Sequence, residues 1–319
     1  MFTIISICQE LVKEVAGIRV GNWVIFQKRI IANLAHGSEM TPCYLDGALM
    51  NSQLEMPPVK SLIKSTKRKK KIIEKFELFA DVIIGSPLSS SFLATKPYVD
   101  IIRLGRTCQA QSRVSLKNIH TREKPGFDVG FKTKRMNIFH IPSHAPGKGT
   151  YLIREAMRKI TVQYDFVEYH EISGLSNSEV LTRLAEADLL IDQTYSDLPL
   201  SGVGMEALVL GVPVLLSGYG LLDLKSRYPL DIFPPTIICH PSQLADKISS
   251  LAKNPVILEE IAEKGRNFVE TLWCKEQVSQ RYITLLTGGF IPSDWWHNPL
   301  AFLYLQGYGL EEEKIKTVV

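Results

Sequence analysis

The amino-acid sequence predicts an α/β protein whose second half folds as a doubly wound parallel sheet. From Asn137 onward, uninterrupted runs of valine, isoleucine and leucine alternate with segments whose apolar residues recur at helical spacing. Strands of this composition are buried on both faces, and strands that alternate with helices form parallel sheets. The chain has 319 residues, of which 45% are hydrophobic, so it is long enough for one large domain or two smaller ones.

The elements of the second half follow a regular order. Strands are predicted at MNIFHIPS, YDFVEYHEI, ADLLIDQT, VPVLLSG and TIICH. Helices are predicted at GTYLIREAMRKI, residues 176–187, GMEALVLG and PSQLADKISSLAKN. Capping residues support two of these helices, because Ser176 or Asn177 can cap the second with Glu179 in its first turn, and Gly211 can end the third.

The first part of the chain is less regular. Strands are predicted in RIIANLAHGSE, FADVIIGSP and KPYVDIIRLG, with a helix in SLIKSTKRKKKIIEKFELF. Three strands are few for a nucleotide-binding domain, so this domain is expected to be short. The polar segment 105–135 is expected to connect two domains, and the aromatic residues after 287, such as Trp295 and Trp296, to pack back on the first. The predicted divisions are residues 1–131, 132–287 and 288–319.

The overall composition favours a soluble, cytoplasmic protein. The formal net charge is only +4, which gives no global polyelectrolyte character. No apolar run approaches the ~20 residues that span a bilayer, and the opening MFTIISIC lacks a basic region before it, so we expect a first strand or helix rather than a signal peptide. The cysteines form no metal-type spacing and are expected to be reduced thiols. They are Cys8, Cys43, Cys108, Cys239 and Cys274.

Two glycine-containing turns are the most informative feature for function. Lys148-Gly149 in NIFHIPSHAPGKGT and Gly202-Val203-Gly204 in SGVGMEALVLGVPVLL each place a helix start after an apolar run. Such a turn presents backbone N–H groups and the positive end of a helix dipole to an anion. Lys148 adds a cation, and Glu206 adds an acid that looks buried in an apolar helix and needs a partner there. The pair predicts a ligand with phosphate and hydroxyl groups, for which a nucleotide-sugar is the natural candidate.

Two further features have alternative interpretations. The run from Lys67 to Lys71 is either a solvated helix face or a contact with an anionic membrane that carries a lipid-linked acceptor. Nucleic-acid binding is the weakest interpretation, because no interleaved aromatic residues accompany the run. His36, in a loop before Gly37, is as well explained by a capping or core role as by catalysis.

From about residue 81 to 286 the chain resembles a GT-B glycosyltransferase of the large, mostly retaining nucleotide-sugar class. The matching segments are ADVIIGSP, HIPSHAPGKGT, ADLLIDQ, GVGMEALVLGVPVLLS and PSQLADKISSLAKNPVILEEIAEKGRNFVE, in the family's order. The segment FQKRIIANLAHGSEMTPCYLDG also resembles the His-Gly-Ser-acid loop of the family's N-terminal domain. The resemblance implies two Rossmann-like domains with a cleft between them, the N-terminal one reduced here.

The resemblance also implies roles for individual residues. Lys148 would neutralise the donor diphosphate, the amides near Gly202 and Gly204 would approach it, and Glu206 would bind the ribose. Asp192 or His36 would lie near the sugar. The implied catalytic residues are His36, Lys148 and Glu206. The implied donor-binding residues are Gly37, Ser143, His144, Lys148, Gly149, Asp192, Gly202, Val203, Gly204 and Glu206.

The chain departs from the family pattern at two positions. Ser143 stands where many relatives carry a phosphate-binding arginine, although a protonated His144 could compensate in part. Leu198 replaces the first of the family's paired glutamates, with Asp197 beside it. The expectation is therefore sugar transfer from a nucleotide-sugar such as a UDP- or GDP-sugar to a glycan, glycolipid or other hydroxyl acceptor, without a metal or other cofactor. The resemblance implies retention of the anomeric configuration. One alternative, from another class, is a non-catalytic GT-B module that binds a partner or glycan. Another is a sugar-nucleotide epimerase or other Rossmann-type enzyme, whose dinucleotide-binding version the missing Gly-x-Gly-x-x-Gly turn disfavours.

Overall fold

The computed structural model describes residues 31–35, 39–43, 49, 55–107 and 135–299. Within these residues the protein is built on two sheets with helices packed against them. All the strand pairs recorded there are parallel except one pair at an edge of the first sheet. The predicted α/β class with parallel sheets is therefore confirmed.

The first sheet combines the beginning of the chain with its tail. Its elements are β1 (Ala32–Leu34), α1 (Val59–Phe79), β2 (Val82–Gly85), α2 (Pro87–Leu93), β3 (Tyr98–Asp100) and α3 (Ile101–Leu104). The strand order is β1, β2, β3 and then β9 (Trp296–His297), a two-residue strand that runs antiparallel to β3. The tail thus returns to the first sheet and pairs with it directly.

The second sheet is entirely parallel, with the strand order β5, β4, β6, β7, β8. Its first elements are β4 (Met136–His140), α4 (Ala145–Lys148), α5 (Thr150–Gln163), β5 (Val167–Glu171) and α6 (Asn177–Leu184). They continue with β6 (Leu189–Ile191), α7 (Gly202–Val209), β7 (Val214–Ser217), α8 (Leu221–Ser226) and β8 (Ile237–Cys239). The helices α9 (Leu244–Lys253), α10 (Val256–Thr271) and α11 (Lys275–Leu286) follow.

The second sheet has a separate apolar core on each face. In β7, Val214 and Leu216 point into one core and Leu215 into the other, as expected for side chains that alternate along a strand. The helices α6, α7 and α8 contribute to the first core, whereas α5 and α9 contribute to the second. Because Ile84 and Val99 of the first sheet also belong to the first core, that core joins the two sheets.

A buried carboxylate ties the tail and the second half of the chain to the first sheet. Asp100, which is fully buried, caps α3 by accepting a hydrogen bond from the amide of Ile102 at 2.8 Å. Its other oxygen accepts a hydrogen bond from the hydroxyl of Tyr228 and lies 3.2 Å from Nε2 of His297. One side chain therefore contacts three separate parts of the chain.

Several sequence-based expectations lie outside the described residues. They concern Cys8, Cys108, the opening segment, most of the 105–135 connection and the tail beyond residue 299. Of the cysteines that the structure describes, Cys43, Cys239 and Cys274 are free thiols. Among the described helices, none combines the length and the apolar character that a bilayer span requires.

Candidate functional site at the carboxyl edge of the second sheet

The Lys148 loop is a tight structure that requires glycine. The single helical turn α4 is capped by His144, whose Nδ1 accepts a hydrogen bond from the amide of Gly147 at 3.2 Å. Gly149 then adopts a left-handed conformation with φ +63°, and a Cβ at this position would lie 1.7 Å from Oγ1 of Thr194. The amide of Thr194 donates to the carbonyl of Lys148 at 3.0 Å. Gly149 is thus needed both for its backbone conformation and for close packing on the segment after β6.

Lys148 forms an ion pair with an aspartate at the end of the neighbouring strand. Its Nζ lies 2.9 Å from Oδ1 of Asp192, which directly follows β6. The Lys148 side chain is 15% exposed, whereas the Asp192 side chain is completely buried. The lysine is therefore held at the edge of the sheet with its charge largely offset by a buried carboxylate.

Asp192 also connects the two predicted turns. Its second oxygen, Oδ2, is buried and has no hydrogen-bond partner among the described residues. A Cβ added to Gly204 would lie 3.3 Å from this oxygen and 2.9 Å from Cδ1 of Leu200. The Lys148 loop and the start of α7 are therefore brought together around one carboxylate, and Gly204 provides the close approach.

The start of α7 is capped by a side chain of the protein. Ser201 caps the helix, since its Oγ accepts a hydrogen bond from the amide of Gly204 at 3.1 Å. That amide therefore has a hydrogen-bond acceptor within the protein. The amides of Gly202 and Val203 belong to the first turn, where the helix itself supplies no acceptor. Gly202 is exposed, and beyond its chain neighbours and its own helix backbone no described residue has an atom within 4 Å of the position that a Cβ would take.

Glu206 is partly exposed rather than buried. It lies one turn after Val203 on the less buried side of α7, while Met205 and Ala207 point into the core. Its Oε1 accepts a hydrogen bond from Nδ2 of Asn177, the first residue of α6, at 2.9 Å. The carboxylate therefore has the partner that its position in an apolar helix required, and it remains accessible.

The other predicted site residues are distributed more widely. Ser143 and His144 are exposed in the connection between β4 and α4, close to Lys148 in the chain. Leu198 packs against the core that joins the two sheets, which explains an apolar side chain at that position. The carbonyl of Asp197 accepts a hydrogen bond from the hydroxyl of Ser86, at the start of α2, at 2.7 Å. His36 and Gly37 lie outside the described residues.

The buried His140 lies close to the Lys148 loop and is hydrogen-bonded through both ring nitrogens. Nδ1 of His140 lies 2.8 Å from the carbonyl of Ile191, to which it must donate, so Nε2 accepts from the hydroxyl of Thr150 at 2.9 Å. Burial lowers the pKa of His140, which favours this neutral form. The histidine thereby links β4, β6 and the first residue of α5, and its role is structural.

Sequence reasoning did not identify the tyrosines near this loop. The hydroxyls of Tyr151 and Tyr195 are hydrogen-bonded to each other, and Tyr195 stacks on Tyr219 with 6.3 Å between ring centroids. A signal was present for two of them, because Tyr195 and Tyr219 directly follow predicted strands. Within the described residues, no group of three or more His, Cys, Asp or Glu side chains is placed to hold a metal ion.

Comparison with known proteins gives no assignment by sequence, since neither a protein-family model nor a curated protein matches the chain. Solved structures share a weak overall likeness. TarM of S. aureus, in a mutant form in complex with fondaparinux, α-GlcNAc-glycerol and UDP, is 17% identical, with 49% of this chain and 36% of that chain covered and a TM-score of 0.37. The present chain thus matches little more than a third of that protein's length.

Two other structures are covered more fully. Anabaena Alr3699/HepE in complex with UDP and glucose is 13% identical over 82% of this chain and 72% of that chain, with a TM-score of 0.46. WaaG, a glycosyltransferase involved in lipopolysaccharide biosynthesis, is 16% identical over 89% of this chain and 82% of that chain, with a TM-score of 0.40. Likenesses of this size do not assign a family, so a functional argument depends on the site itself.

Proposed function

We propose that the protein is a GT-B glycosyltransferase that transfers a sugar from a nucleotide-diphospho-sugar to a hydroxyl acceptor. The observation that carries the proposal is the convergence of Lys148, Asp192 and the start of α7 at the carboxyl edge of one parallel sheet. Open α/β sheets bind their ligands at this edge. Glu206 and its partner Asn177 lie on the adjoining helices and supply a site for sugar hydroxyls.

Lys148 is suited to a diphosphate leaving group. Departure of a nucleoside diphosphate develops negative charge, and a cation fixed before the reaction stabilises that charge. An ammonium has three N–H donors, so Lys148 can bind a phosphate oxygen while it keeps Asp192 as a partner. The amides of Gly202 and Val203 add donors at the positive end of a helix.

Glu206 is suited to the ribose of the same ligand. A carboxylate accepts several hydrogen bonds, so Glu206 can bind ribose hydroxyls while it keeps the 2.9 Å bond from Asn177. His36 and Asp192 are proposed to lie near the transferred sugar. Retention of configuration, a UDP- or GDP-sugar donor, a glycan or glycolipid acceptor and action without a metal are finer parts of the proposal that come from the resemblance. A cytoplasmic location is a further part, and it comes from the composition.

Titration calorimetry with UDP and GDP, followed by a donor screen that measures nucleoside diphosphate release, tests the proposal. We expect binding of at least one diphosphate, with at least a tenfold loss of affinity in Lys148→Met. The matched control is Lys159→Met, which removes an exposed lysine of α5 whose ion pair among the described residues is with Glu155 on its own helix. If the folded protein binds neither diphosphate, the proposal is wrong.

A non-catalytic module is the second candidate function. The core position of Leu198, where the family has a catalytic-site glutamate, favours it. The non-catalytic module would bind a partner or glycan, whereas only the enzyme releases nucleoside diphosphate from a nucleotide-sugar, with or without added acceptor. Binding without any release across the donor screen would therefore select the non-catalytic module.

We also propose a peripheral contact with anionic membranes through α1. Lys67, Arg68, Lys70 and Lys71 are exposed on this helix, whereas Lys69 is turned inward and donates to the carbonyl of Thr41 at 2.6 Å. Beside these cations, apolar side chains project from one side of the helix at i, i+4 and i+7 spacing. They are Ile72, Phe76 and Phe79, exposed to 37%, 46% and 70%. A helix with cations flanking an apolar stripe can lie in a membrane interface.

Cosedimentation with vesicles tests this contact. We expect binding to vesicles of phosphatidylglycerol and phosphatidylcholine, weaker binding to phosphatidylcholine alone, and loss of binding in Arg68→Glu/Lys71→Glu. A matched control is Lys253→Glu/Lys264→Glu, which reverses two charges on other helices. Equal binding of the two double variants would refute the assignment to α1.

A further inference from the structure

Four aromatic side chains stand in a row along the carboxyl edge of the second sheet. Tyr151 lies in the first turn of α5, Tyr195 follows β6, Tyr219 follows β7 and His240 follows β8. Because β4, β6, β7 and β8 are neighbours in the sheet, these residues, here called the aromatic row, are neighbours as well. The row therefore extends over three strand-to-strand spacings, which together measure about 14 Å.

The members of the aromatic row contact one another in sequence. Tyr151 and Tyr195 share a hydrogen bond between their hydroxyls, Tyr195 stacks on Tyr219 at 28° with centroids 6.3 Å apart, and Tyr219 meets His240 edge-on at 5.1 Å. All four side chains are partly exposed. The row is therefore a continuous aromatic surface at the edge of the sheet and not part of either apolar core.

The aromatic row begins beside the Lys148 loop. Cε2 of Tyr195 would lie 3.0 Å from a Cβ on Gly149, the residue after Lys148. Tyr151 lies in α5, and His240 caps the short 3-10 turn that leads into α9; both helices contribute to one core of the sheet. Glu206 and Asn177 belong to α7 and α6, which contribute to the other core. A nucleotide bound at Glu206 would thus leave the row uncovered.

The chemistry of the row is that of a neutral, hydroxyl-rich ligand. Tyrosine presents an apolar ring face with a hydroxyl at its tip, so it can stack on the C–H face of a sugar and hydrogen-bond to its hydroxyls. Burial raises the pKa of Tyr195 and of Tyr219, so both phenols are neutral at physiological pH and can donate as well as accept. Proteins that bind single-stranded nucleic acids place such rings within a positively charged groove. The row itself consists of three tyrosines and one histidine and includes no lysine or arginine.

We propose that the aromatic row binds the sugar chain of the acceptor, in line with the Lys148 loop. This inference rests on the proposed glycosyltransferase function and adds a second subsite to it. The row is long enough for more than one sugar ring, and Tyr195, next to the Tyr151 end, adjoins the loop that would hold the donor diphosphate. The acceptor's terminal sugar would lie nearest to Tyr195, with the preceding sugars toward His240.

Saturation-transfer NMR of the full chain with maltotriose, cellotriose and chitotriose tests the inference. We expect at least one trisaccharide to receive saturation. Tyr219→Ala should then weaken its binding at least tenfold, while Tyr219→Phe, which keeps the ring, should stay within about threefold. Tyr164→Ala is the matched control, because Tyr164 is a partly exposed tyrosine outside the row whose hydroxyl bonds to Ser249 at 2.7 Å.

The outcomes separate this inference from the proposed function. If UDP or GDP binds but none of the three trisaccharides does, or if Tyr219→Ala binds them as well as the wild type, the aromatic row is not a sugar subsite. If a trisaccharide binds but neither diphosphate does, the proposed function fails while the subsite stands. Binding of a dT10 oligonucleotide that Tyr219→Ala abolishes, without trisaccharide binding, would also overturn the inference.

Discussion

The buried pair of Lys148 and Asp192 predicts that removing the lysine destabilises the protein more than removing the aspartate. The asymmetry arises from burial, because the Asp192 side chain is completely buried and the Lys148 side chain is 15% exposed. In Lys148→Met the carboxylate loses its counter-ion, while its Oδ2 already lacks a hydrogen-bond partner among the described residues. In Asp192→Asn the ammonium keeps an amide oxygen and can turn toward water.

The expected magnitudes follow from this difference. Removing one partner of a buried ion pair costs about 3–5 kcal/mol when the remaining charge cannot reach water, so Lys148→Met should lose that much unfolding free energy. Asp192→Asn replaces a charged hydrogen bond by a neutral one and should lose about 1–3 kcal/mol. Because the double variant contains neither charge, it should be more stable than Lys148→Met alone, with a coupling energy of about 1–3 kcal/mol.

Urea unfolding followed by circular dichroism at neutral pH, without nucleotide, measures these differences. The comparison is valid when the variants share the wild-type slope, since the shift in midpoint then reports stability. Equal midpoints for Lys148→Met and the wild type would show that Asp192 is not a buried, paired carboxylate. The double variant also serves the nucleotide experiments, because it removes the lysine without leaving a buried charge.

Three further predictions concern single positions. Gly149→Ala places a side chain at φ +63° against a threonine hydroxyl, so it should lower the free energy of unfolding by about 2 kcal/mol or more. Gly202→Ala, in open space, should change the thermal midpoint little, and similar losses of stability in the two variants would contradict the tight loop. Burial lowers the pKa of His140, so the stability that it contributes is complete above its unfolded pKa of about 6.5 and is lost as pH falls below that value, by up to about 1.4 kcal/mol per pH unit. Urea unfolding at several pH values should show that the free energy of unfolding depends less on pH in His140→Gln than in the wild type. Glu206→Ala should weaken UDP or GDP binding at least tenfold in calorimetry with little change in unfolding, and normal binding would refute the ribose assignment.

The sequence predicted those features that depend on neighbouring residues. The expected cap at Ser176 with Glu179 is confirmed, because the two residues form both hydrogen bonds of a capping box within one helical turn. The strands of the second half were likewise found where apolar runs stand between capped helices. Such signals are local, so no knowledge of the tertiary structure is needed to interpret them.

The features that were missed depend on contacts between distant residues. Lys148 and Asp192 are 44 positions apart, and the sequence indicated a phosphate-binding lysine but not its buried counter-ion. The hydrogen bond of the Gly204 amide was missed for another reason. The side chain of Ser201 could equally have pointed to solvent, and only the geometry of the helix cap shows that it accepts from this amide. Glu206 was expected in the core because its neighbours in the chain are apolar, yet its side of α7 is accessible.

The counter-ion changes what the candidate site should prefer as a ligand. Since the buried charge of Asp192 offsets that of Lys148, the loop does not attract an anion as an isolated cation would, and affinity must come from additional contacts such as those to Glu206. We therefore expect pyrophosphate to bind at least tenfold more weakly than UDP or GDP, whichever binds best. In Asp192→Asn the uncompensated lysine should bind pyrophosphate more tightly than the wild type does, with a stronger dependence on salt, because the added attraction is between unshielded charges. Calorimetry at two salt concentrations measures both effects, and pyrophosphate binding as tight as nucleotide binding in the wild type would show that Asp192 does not moderate the charge of Lys148.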